Sequence, residues 1–248
     1  MDNSILSDVS LAIRHYGMIE PGDKVLAAVS GGKDSLTMLN LLNTLSHKKV
    51  SRFELVAAHI RTDFHCSSCT HREVLTEIFA GMGITCFFRE IKVLDKQRQT
   101  NCFWCSWNRR KALFTLAGQL GINKIAFGHH KDDIIETSLL NLFFQGEISA
   151  MRPRQELFGG KIVIIRPLCF VEEDKIRLFA QEHNFPSKLC RCPFGAVSKR
   201  RLIKGLINDL AISPSGCQVR DNLFKSFCRI NAEANLKQDL KEQAGICI

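Results

Sequence analysis

The sequence lacks two glycine patterns that are familiar from nucleotide-binding proteins. Neither the Walker spacing Gly-x4-Gly-Lys-Ser/Thr nor the dinucleotide-binding pattern Gly-x-Gly-x-x-Gly occurs in the 248 residues. The first residues carry no basic segment of the kind that begins a signal peptide, and no apolar run approaches the length of a membrane span. Internal repeats and low-complexity stretches are also missing. We therefore expect a cytoplasmic protein without membrane contact, whose phosphate-binding loop, if it has one, is of another type.

Cysteine, by contrast, is plentiful, and positive charge is in excess. Eleven cysteines in a chain expected to stay in the reducing cytoplasm argue against a disulfide scaffold and favour metal or thiol chemistry. The net charge is +9. Residues 61–120 hold nine Lys and Arg against five Asp and Glu, and residues 190–248 hold ten against five. Such an excess is typical of proteins that bind a polyanion such as RNA, although a solvated basic surface would also account for it.

Short apolar segments alternate with helical patterns along most of the chain. The strand-like segments are residues 24–29, 54–60, 85–91, 124–127 and 161–166. This alternation predicts an α/β fold, in which a parallel sheet of about five strands is joined by right-handed crossovers and carries helices on both faces. After residue 186 the pattern changes to basic helices at 197–210 and 221–240. We therefore predict one domain over residues 1–186 and a cysteine-bearing helical appendage over residues 187–248.

Residues 30–35, Ser-Gly-Gly-Lys-Asp-Ser, connect the first predicted strand to a helix. The two glycines allow a tight turn and a close approach of backbone N–H groups to a ligand, and Ser35 is expected to cap the helix. A helix N-terminus after such a loop attracts anions, and Lys33 adds a cation. The loop is therefore predicted to hold phosphate, with an ordinary glycine-containing turn as the alternative. It resembles the PP-loop of the ATP pyrophosphatases, which hold the pyrophosphate end of ATP and adenylate an oxygen of a second substrate.

Two cysteine pairs have the spacing of metal or redox sites. Cys102 and Cys105 begin a predicted helix, where the dipole favours thiolates and the spacing turns both side chains to one face. A zinc site, an iron–sulfur site and a redox dithiol share this spacing. The neighbouring aromatic residues favour iron–sulfur, and two isolated buried cysteines are the structural alternative. The second pair, Cys66 and Cys69, follows the second strand between two histidines, and zinc, a sulfur relay and a plain loop all remain open there.

The segment Gly128-His129-His130-Lys131-Asp132-Asp133 follows the fourth predicted strand. Gly128 is expected to allow close approach of the backbone to a nucleotide that lies across the sheet. Asp133 or Asp132 could hold Mg2+ beside phosphates, whereas Asp132 could equally cap the next helix. The two histidines are expected to be hydrogen-bonded loop residues.

In combination, these segments resemble the tRNA 2-thiocytidine synthetase family over about residues 20–210. The resemblance is carried, in order, by residues 30–35, Cys102-x-x-Cys105-Ser106 with Arg109-Arg110, residues 128–134, Ile164 with Arg166-Pro167-Leu168, and the late cysteines. It implies a PP-loop fold and a cluster-dependent sulfurtransferase that uses ATP. Members of the family hold a [4Fe–4S] cluster on three cysteines, which leaves one iron free of protein.

The resemblance also implies the residues of the site. The residues expected to bind ATP are Ser30, Gly31, Gly32, Lys33, Asp34, Ser35, Ala58 or His59, Gly128 and Asp133. Those expected to act in catalysis are Lys33, Asp34, Arg109 and Asp133, with Arg109 near the phosphates and Asp133 on Mg2+. Cys102 and Cys105 match the first two cluster ligands. We expect the third to be Cys192 rather than Cys190, because Cys192 takes the ligand position when measured back from the following helix.

The implied reaction is tRNA thiolation. The C2 oxygen of a cytidine in the anticodon loop is adenylated by ATP, and sulfur then replaces it with the help of the [4Fe–4S] cluster. The implied partners are tRNA and a sulfur donor, either a cysteine desulfurase or sulfide, and a homodimer is left open. Three other functions remain open: a related sulfurtransferase that acts on uridine or a small molecule, a lysidine-type or amidating enzyme that shares the loop without needing the cysteines, and a non-enzymatic iron–sulfur protein that binds RNA.

Overall fold

The computed structural model describes residues 2–48, 52–64, 71–186, 199–212 and 218–230. The chain divides into two compact units. The first comprises Met1–His130 and Pro153–Ala196, and the second comprises Lys131–Arg152 and Val197–Ile248. The predicted domain boundary after residue 186 adjoins residues outside the described ranges and remains a prediction.

A six-stranded sheet forms the centre of the first unit. Its strands are β1 (Lys24–Ala28), β2 (Glu54–Thr62), β3 (Cys86–Ile91), β4 (Lys124–Phe127), β5 (Arg154–Leu157) and β6 (Ile162–Ile165). Their order across the sheet is β3-β2-β1-β4-β6-β5. Every neighbouring pair is parallel except β5 with β6. The predicted parallel α/β sheet is thereby confirmed.

Among the described residues, the edge strand β5 is the one strand that the sequence did not predict. It runs antiparallel to β6, pairing Gln155 with Ile164 and Leu157 with Ile162. Its four residues, Arg-Gln-Glu-Leu, are half-buried or exposed, whereas β6 is buried throughout. A polar edge strand has no apolar run to reveal it, because only one side of the strand is covered.

Helices cover both faces of this sheet. The helices in the described residues are α1 (Asp2–His15), α2 (Lys33–Ser46), α3 (His71–Gly81), α4 (Cys102–Gln119), α5 (Lys131–Gln145), α6 (Glu173–Glu182), α7 (Lys199–Ile212) and α8 (residues 219–230). On one face α4 packs against β2, β3 and β4, and its Leu116 belongs to a buried cluster with Leu26 and Ile125 of neighbouring strands. Helices α1, α2 and α6 pack against one another and bury Val9, Leu39 and Ile176.

The second unit is helical in the part of it that the structure describes. Helix α5 packs against α7, which buries Ile203 and Ile207, while α8 buries Phe224 and Phe227. The predicted helix at 197–210 is present with shifted ends, and the predicted helix at 221–240 is described as far as residue 230. None of the helices in the described residues is long and apolar enough to cross a membrane.

Candidate active site

The loop between β1 and α2 is closed by hydrogen bonds of the Ser35 hydroxyl. Gly31 adopts φ +90°, which allows the chain to turn so that α2 begins at Lys33 with Gly32 as its N-cap. The Ser30 N–H donates to the Ser35 hydroxyl at 3.2 Å, and that hydroxyl donates to the Gly32 carbonyl at 2.9 Å. The prediction that Ser35 caps the helix is therefore wrong, because Ser35 lies in the first turn and closes the loop instead. The loop leaves the N–H groups of the first helical turn without partners within the helix, as an anion site requires.

Lys33 is held by two carboxylates at the start of α2. Its Nζ donates to Asp34 Oδ1 at 2.6 Å and to Glu173 Oε1, from the first turn of α6, at 3.2 Å. Burial alone would lower the pKa of Lys33, but attraction to Asp34 and Glu173 outweighs it, so the pKa is raised. Lys33 is therefore a cation at neutral pH, and its charge is positioned before any phosphate binds.

Gly128 lies against the start of α2. A Cβ at this position would come within 3.0 Å of the backbone of Ser35 and within 3.1 Å of the Asp34 carbonyl carbon. Gly128 therefore makes a close backbone contact with the phosphate loop, and the predicted approach of a nucleotide to Gly128 remains a prediction. The loop after β4 continues to His130, a buried residue whose Nε2 lies 3.9 Å from Asp34 Oδ1. Only glycine allows these two loops to meet so closely.

His59 and Ala58 lie on β2, next to the beginning of the loop. His59 is buried, and its Nδ1 hydrogen-bonds to the carbonyl oxygen of Val29 at 2.8 Å. Ala58 pairs with Ala28, and its carbonyl accepts the N–H of Val29 at 2.8 Å. Both residues therefore fix the chain where it leaves β1. Their predicted role beside the adenosine remains a prediction.

Asp133 lies in the first turn of α5, in the second unit, and is paired with a cation. Arg200 of α7 donates to Asp133 Oδ1 at 2.9 Å and to Thr137 Oγ1 at 3.0 Å, and it lies 3.6 Å from the buried Glu136 carboxylate. Asp132, one residue earlier, lies 3.1 Å from Arg220 Nε. Arg200 belongs to the basic helix predicted at 197–210, and in the structure it forms ion pairs with carboxylates of its own unit.

Cys102 and Cys105 occupy the first turn of α4. The helix begins at Cys102, as the sequence predicts, and the Asn101 side chain caps it by accepting the N–H of Trp104 at 2.8 Å. Neither cysteine forms a disulfide within the described residues, and the first turn carries no acidic residue. Two thiols at the positive end of a helix fit a thiolate-bound cluster. No group of three metal-binding side chains was found within the described residues, and Cys190, Cys192, Cys66 and Cys69 lie outside them.

A cavity of about 510 Å³ opens between the middle of α4 and the strands β4, β5 and β6. Its cations are Arg110, Lys111 and Arg166. Arg166 is buried, and its Nε donates to His129 Nδ1 at 3.3 Å. Burial, followed by repulsion from Arg110, lowers the pKa of Arg166 to about 10. The predicted phosphate contact, Arg109, is half-buried on the same helix, and its role remains a prediction, whereas its neighbour Arg110 lines the cavity.

Two residues of the site were not assigned from the sequence. Glu173 approaches Lys33 across 140 residues of chain, and nothing in the residues around it indicates this contact. Arg166 did carry a signal, because it belongs to a segment shared with the resembling family, but no role followed from that segment alone.

Comparison with known proteins places these features in a family. Residues 7–186 match the PP-loop domain family. The chain is 37% identical over 214 residues to the tRNA-cytidine(32) 2-sulfurtransferase of Geobacter sulfurreducens, covering 83% of this chain and 82% of that protein. It is 38% identical over 233 residues to the protein of the same name from Burkholderia ambifaria, covering 91% of this chain and 67% of that protein.

A solved structure shares the fold. The U34-tRNA thiolase NcsA from Methanococcus maripaludis with its [4Fe-4S] cluster superposes with a TM-score of 0.72 at 20% sequence identity, covering 92% of this chain and 79% of that one. The resemblance drawn from the sequence is confirmed by the identity to the curated sulfurtransferases and by the extent of the PP-loop match. The chain belongs to the PP-loop domain family and, within it, to the tRNA-cytidine(32) 2-sulfurtransferases.

Proposed function

We propose that the protein uses ATP to replace the C2 oxygen of a cytidine in the tRNA anticodon loop with sulfur. The observation that supports this most directly is the phosphate loop. Its glycine turn, the N–H groups of the first turn of α2 and the positioned Lys33 form an anion site, and Gly128 packs against it. The names of the relatives suggest cytidine 32 as the target, and a cytoplasmic location would suit a tRNA-modifying enzyme.

The reaction has two steps, adenylation of the C2 oxygen and its replacement by sulfur. The cytosine C2 oxygen attacks the α-phosphorus of ATP, forms a P–O bond and releases pyrophosphate. Hydrosulfide then attacks C2 and forms a C–S bond; persulfide sulfur from a desulfurase would first be reduced to hydrosulfide by two electrons from a thiol pair, which becomes a disulfide. The C2–O bond breaks and AMP leaves, while the proton of the sulfide passes to solvent. The first step is needed because an oxygen on C2 is a poor leaving group until it carries the adenylyl group.

The chain's own residues would stabilise the charge that develops on ATP. The loop N–H groups and Lys33 are aimed before the reaction begins, so little reorganisation is required as pyrophosphate gains charge. Arg109 is proposed as a further cation for the phosphates, and Asp34 as the carboxylate that orients Lys33. Asp133 is the proposed Mg2+ ligand. A carboxylate suits Mg2+, but a cation at Asp133 Oδ1 would compete with Arg200.

Cys102 and Cys105 are proposed to hold the [4Fe–4S] cluster, with Cys192, or else Cys190, as the third ligand. When bound, the cluster would supply a holder for the incoming sulfur. The first turn of α4 would place both thiols at the positive end of the helix dipole and on the same side of the helix.

The test begins with anaerobic purification and assays for iron and sulfide. The protein is then incubated with ATP, Mg2+, sulfide and bulk tRNA, and AMP and modified nucleosides are measured. We expect AMP release and 2-thiocytidine from the wild type. Cys102→Ala should lose iron and thiolation while it still binds ATP. The matched control is Cys86→Ala, because burial raises the pKa of Cys86 to about 12 and keeps it a neutral thiol.

Three outcomes would contradict the proposal. Thiolated uridine in place of thiolated cytidine would show that the substrate is uridine. Binding of RNA without release of AMP from ATP would show that the protein is a non-enzymatic RNA-binding module. Full iron content in Cys102→Ala would show that α4 does not supply the ligands of the cluster.

A further inference from the structure

The two tryptophans of the chain form a stacked pair on the surface of α4. The rings of Trp104 and Trp107 lie within 15° of parallel, with 5.6 Å between their centroids. Lys111 lies over the Trp107 ring, with its Nζ 5.3 Å from the centroid. Trp104 is nevertheless 48% exposed and Trp107 45% exposed. Contiguous exposed apolar surface of this kind marks interaction sites more often than scattered single side chains do.

The stacked pair lies on the side of α4 that is opposite the cysteines. At about 3.6 residues per turn, Trp104 and Trp107 lie about 160° around the helix from Cys102 and Cys105. The two tryptophans therefore point away from a cluster held by these cysteines, and the iron–sulfur site gives them no role. We refer to the side that carries the tryptophans as the outer side of α4.

An open groove of about 430 Å³ continues along the outer side of α4. Asn108, Lys111 and Thr115 contribute to its lining from α4, and Arg89 contributes from β3. These three residues of α4 follow Trp104 by four, seven and eleven positions, which is the spacing of one helical face. The stacked rings and the groove thus form one continuous surface.

This surface carries positive charge that no carboxylate compensates within the described residues. Lys111 and Arg89 are exposed, and their partners there are neutral, a tryptophan ring and a glutamine side chain. None of the 18 residues of α4 is acidic. Glu90 also lines the groove, but its carboxylate is paired with Arg61 at 3.3 Å. The surface therefore complements a polyanion.

We propose that the outer side of α4 binds single-stranded RNA, with one unpaired base stacked on Trp104 and phosphates of the same strand at Lys111 and Arg89. Aromatic rings beside a positively charged groove are the combination with which proteins hold single strands, whereas a duplex offers phosphates but no free base face. The inference rests on the proposed function, in which the strand is the anticodon loop of tRNA. Because the cysteines lie on the other side of the helix, the stacked base is not the base that receives sulfur.

The test uses the full chain, purified anaerobically, and two RNA probes of equal charge. One is a hairpin with the sequence of the anticodon stem-loop, and the other is a fully paired duplex. Trp104→Ala should weaken binding of the hairpin by roughly 5- to 100-fold in Kd, the range expected for loss of one stacked base, and leave the duplex unchanged. Trp104→Phe keeps a ring and should retain most of the affinity. Lys111→Gln should reduce the slope of log Kd against log salt by about 0.7 for the hairpin.

Tryptophan fluorescence gives a second, direct measurement. The chain has only two tryptophans, and both belong to the stacked pair, so the emission reports on this surface alone. The hairpin should quench it in proportion to the bound fraction, and the duplex should not. The matched control is Phe143→Ala, which removes an exposed phenylalanine of α5 outside the groove lining and should bind both probes as the wild type does.

Equal hairpin affinity in Trp104→Ala and the wild type would overturn the proposal. A loss of dimers in light scattering would then assign the surface to a second copy of the chain, and a loss of iron would assign the tryptophans to the cluster. Hairpin binding that depends on Trp104 without formation of 2-thiocytidine would leave the RNA surface standing and contradict the proposed function. Thiolation by Trp104→Ala with an unchanged KM for tRNA would do the reverse.

Discussion

Lys33 shows how a single side chain can be prepared for its ligand. Two carboxylates hold its ammonium group at the start of α2, and its raised pKa keeps it charged. A group whose pKa is raised on folding contributes stability that is present below the unfolded value and is lost as the pH rises through the folded value. For Lys33 that window lies above pH 10.5. ATP affinity should therefore show no titration of Lys33 between pH 6 and pH 9, which are roughly four and one units below the usual pKa of lysine.

The Glu173 carboxylate is expected to compete with phosphate for Lys33. Glu173→Gln removes one negative charge 3.2 Å from Nζ, so ATP should bind about 2- to 5-fold more tightly in calorimetry, in line with partly exposed ion pairs worth up to about 1 kcal/mol. Asp174→Asn is the matched control, because Asp174 lies one residue later and pairs with Arg177 instead. Weaker ATP binding in Glu173→Gln would mean that Glu173 positions Lys33 rather than competing for it.

Gly128 provides the sharpest steric test at this scale. Gly128→Ala places a Cβ 3.0 Å from the Ser35 backbone, so the two loops must separate. We expect a loss of about 1–3 kcal/mol in the free energy of unfolding and a clear weakening of ATP binding. In Gly118→Ala a Cβ would meet nothing within 4 Å, so this helical position should gain about 0.4–1 kcal/mol. Denaturant titration of both variants measures the difference. A free energy of unfolding for Gly128→Ala equal to that of the wild type would contradict the prediction.

At the scale of secondary structure, α4 combines three roles along its length. Its first turn carries Cys102 and Cys105, its middle lines the cavity with Trp107 and Arg110, and its last turns bury Leu116 in the core. Because an α-helix is rigid over this length, packing of its C-terminal end fixes the position of the cysteines at the other end. Packing of Leu116 in the core therefore also holds Cys102 and Cys105 in place.

Helix α7 is attached to α5 by Arg200. Arg200→Ala removes the guanidinium from Asp133 and from the buried Glu136, and we expect a loss of about 1–2 kcal/mol, below that of a fully buried pair because Arg200 is 43% exposed. Arg229→Ala, at an exposed position of α8, should stay within about 0.5 kcal/mol of the wild type. Thermal unfolding of the two variants measures the difference, and equal melting temperatures would show that the ion pairs contribute nothing.

At the scale of the whole molecule, the net charge of +9 predicts binding of tRNA through phosphates. The affinity should fall steeply as salt is raised. Arg201→Ala should reduce the slope of log Kd against log salt by about 0.7–0.9, the value for one lost phosphate contact, and leave ATP affinity unchanged. Arg200 is a poor choice for this experiment, because its loss also removes ion pairs within the second unit. An unchanged slope would mean that Arg201 contacts no phosphate of the tRNA.

The local features of the site could be predicted from the sequence because each depends on residues that are close in the chain. Two glycines before Lys33 dictate the turn, apolar runs dictate buried strands, and Gly128 after a strand indicates a close backbone contact. The predicted role of Ser35 was nevertheless wrong, because whether Ser35 caps the helix or closes the loop depends on the residue at which the helix starts. That start depends on the positive φ of Gly31.

The contacts between distant segments were decided by the tertiary structure alone. Glu173 meets Lys33 and Arg200 meets Asp133 only because the helices that carry them pack together, and nothing in their neighbours in sequence reports this. The cavity likewise needs α4 to pack beside β4, β5 and β6. Short-range residue types thus determined the cradle and the cysteine pair, while the partners of their charges and the cavity beside them arose from packing across more than 60 residues of chain.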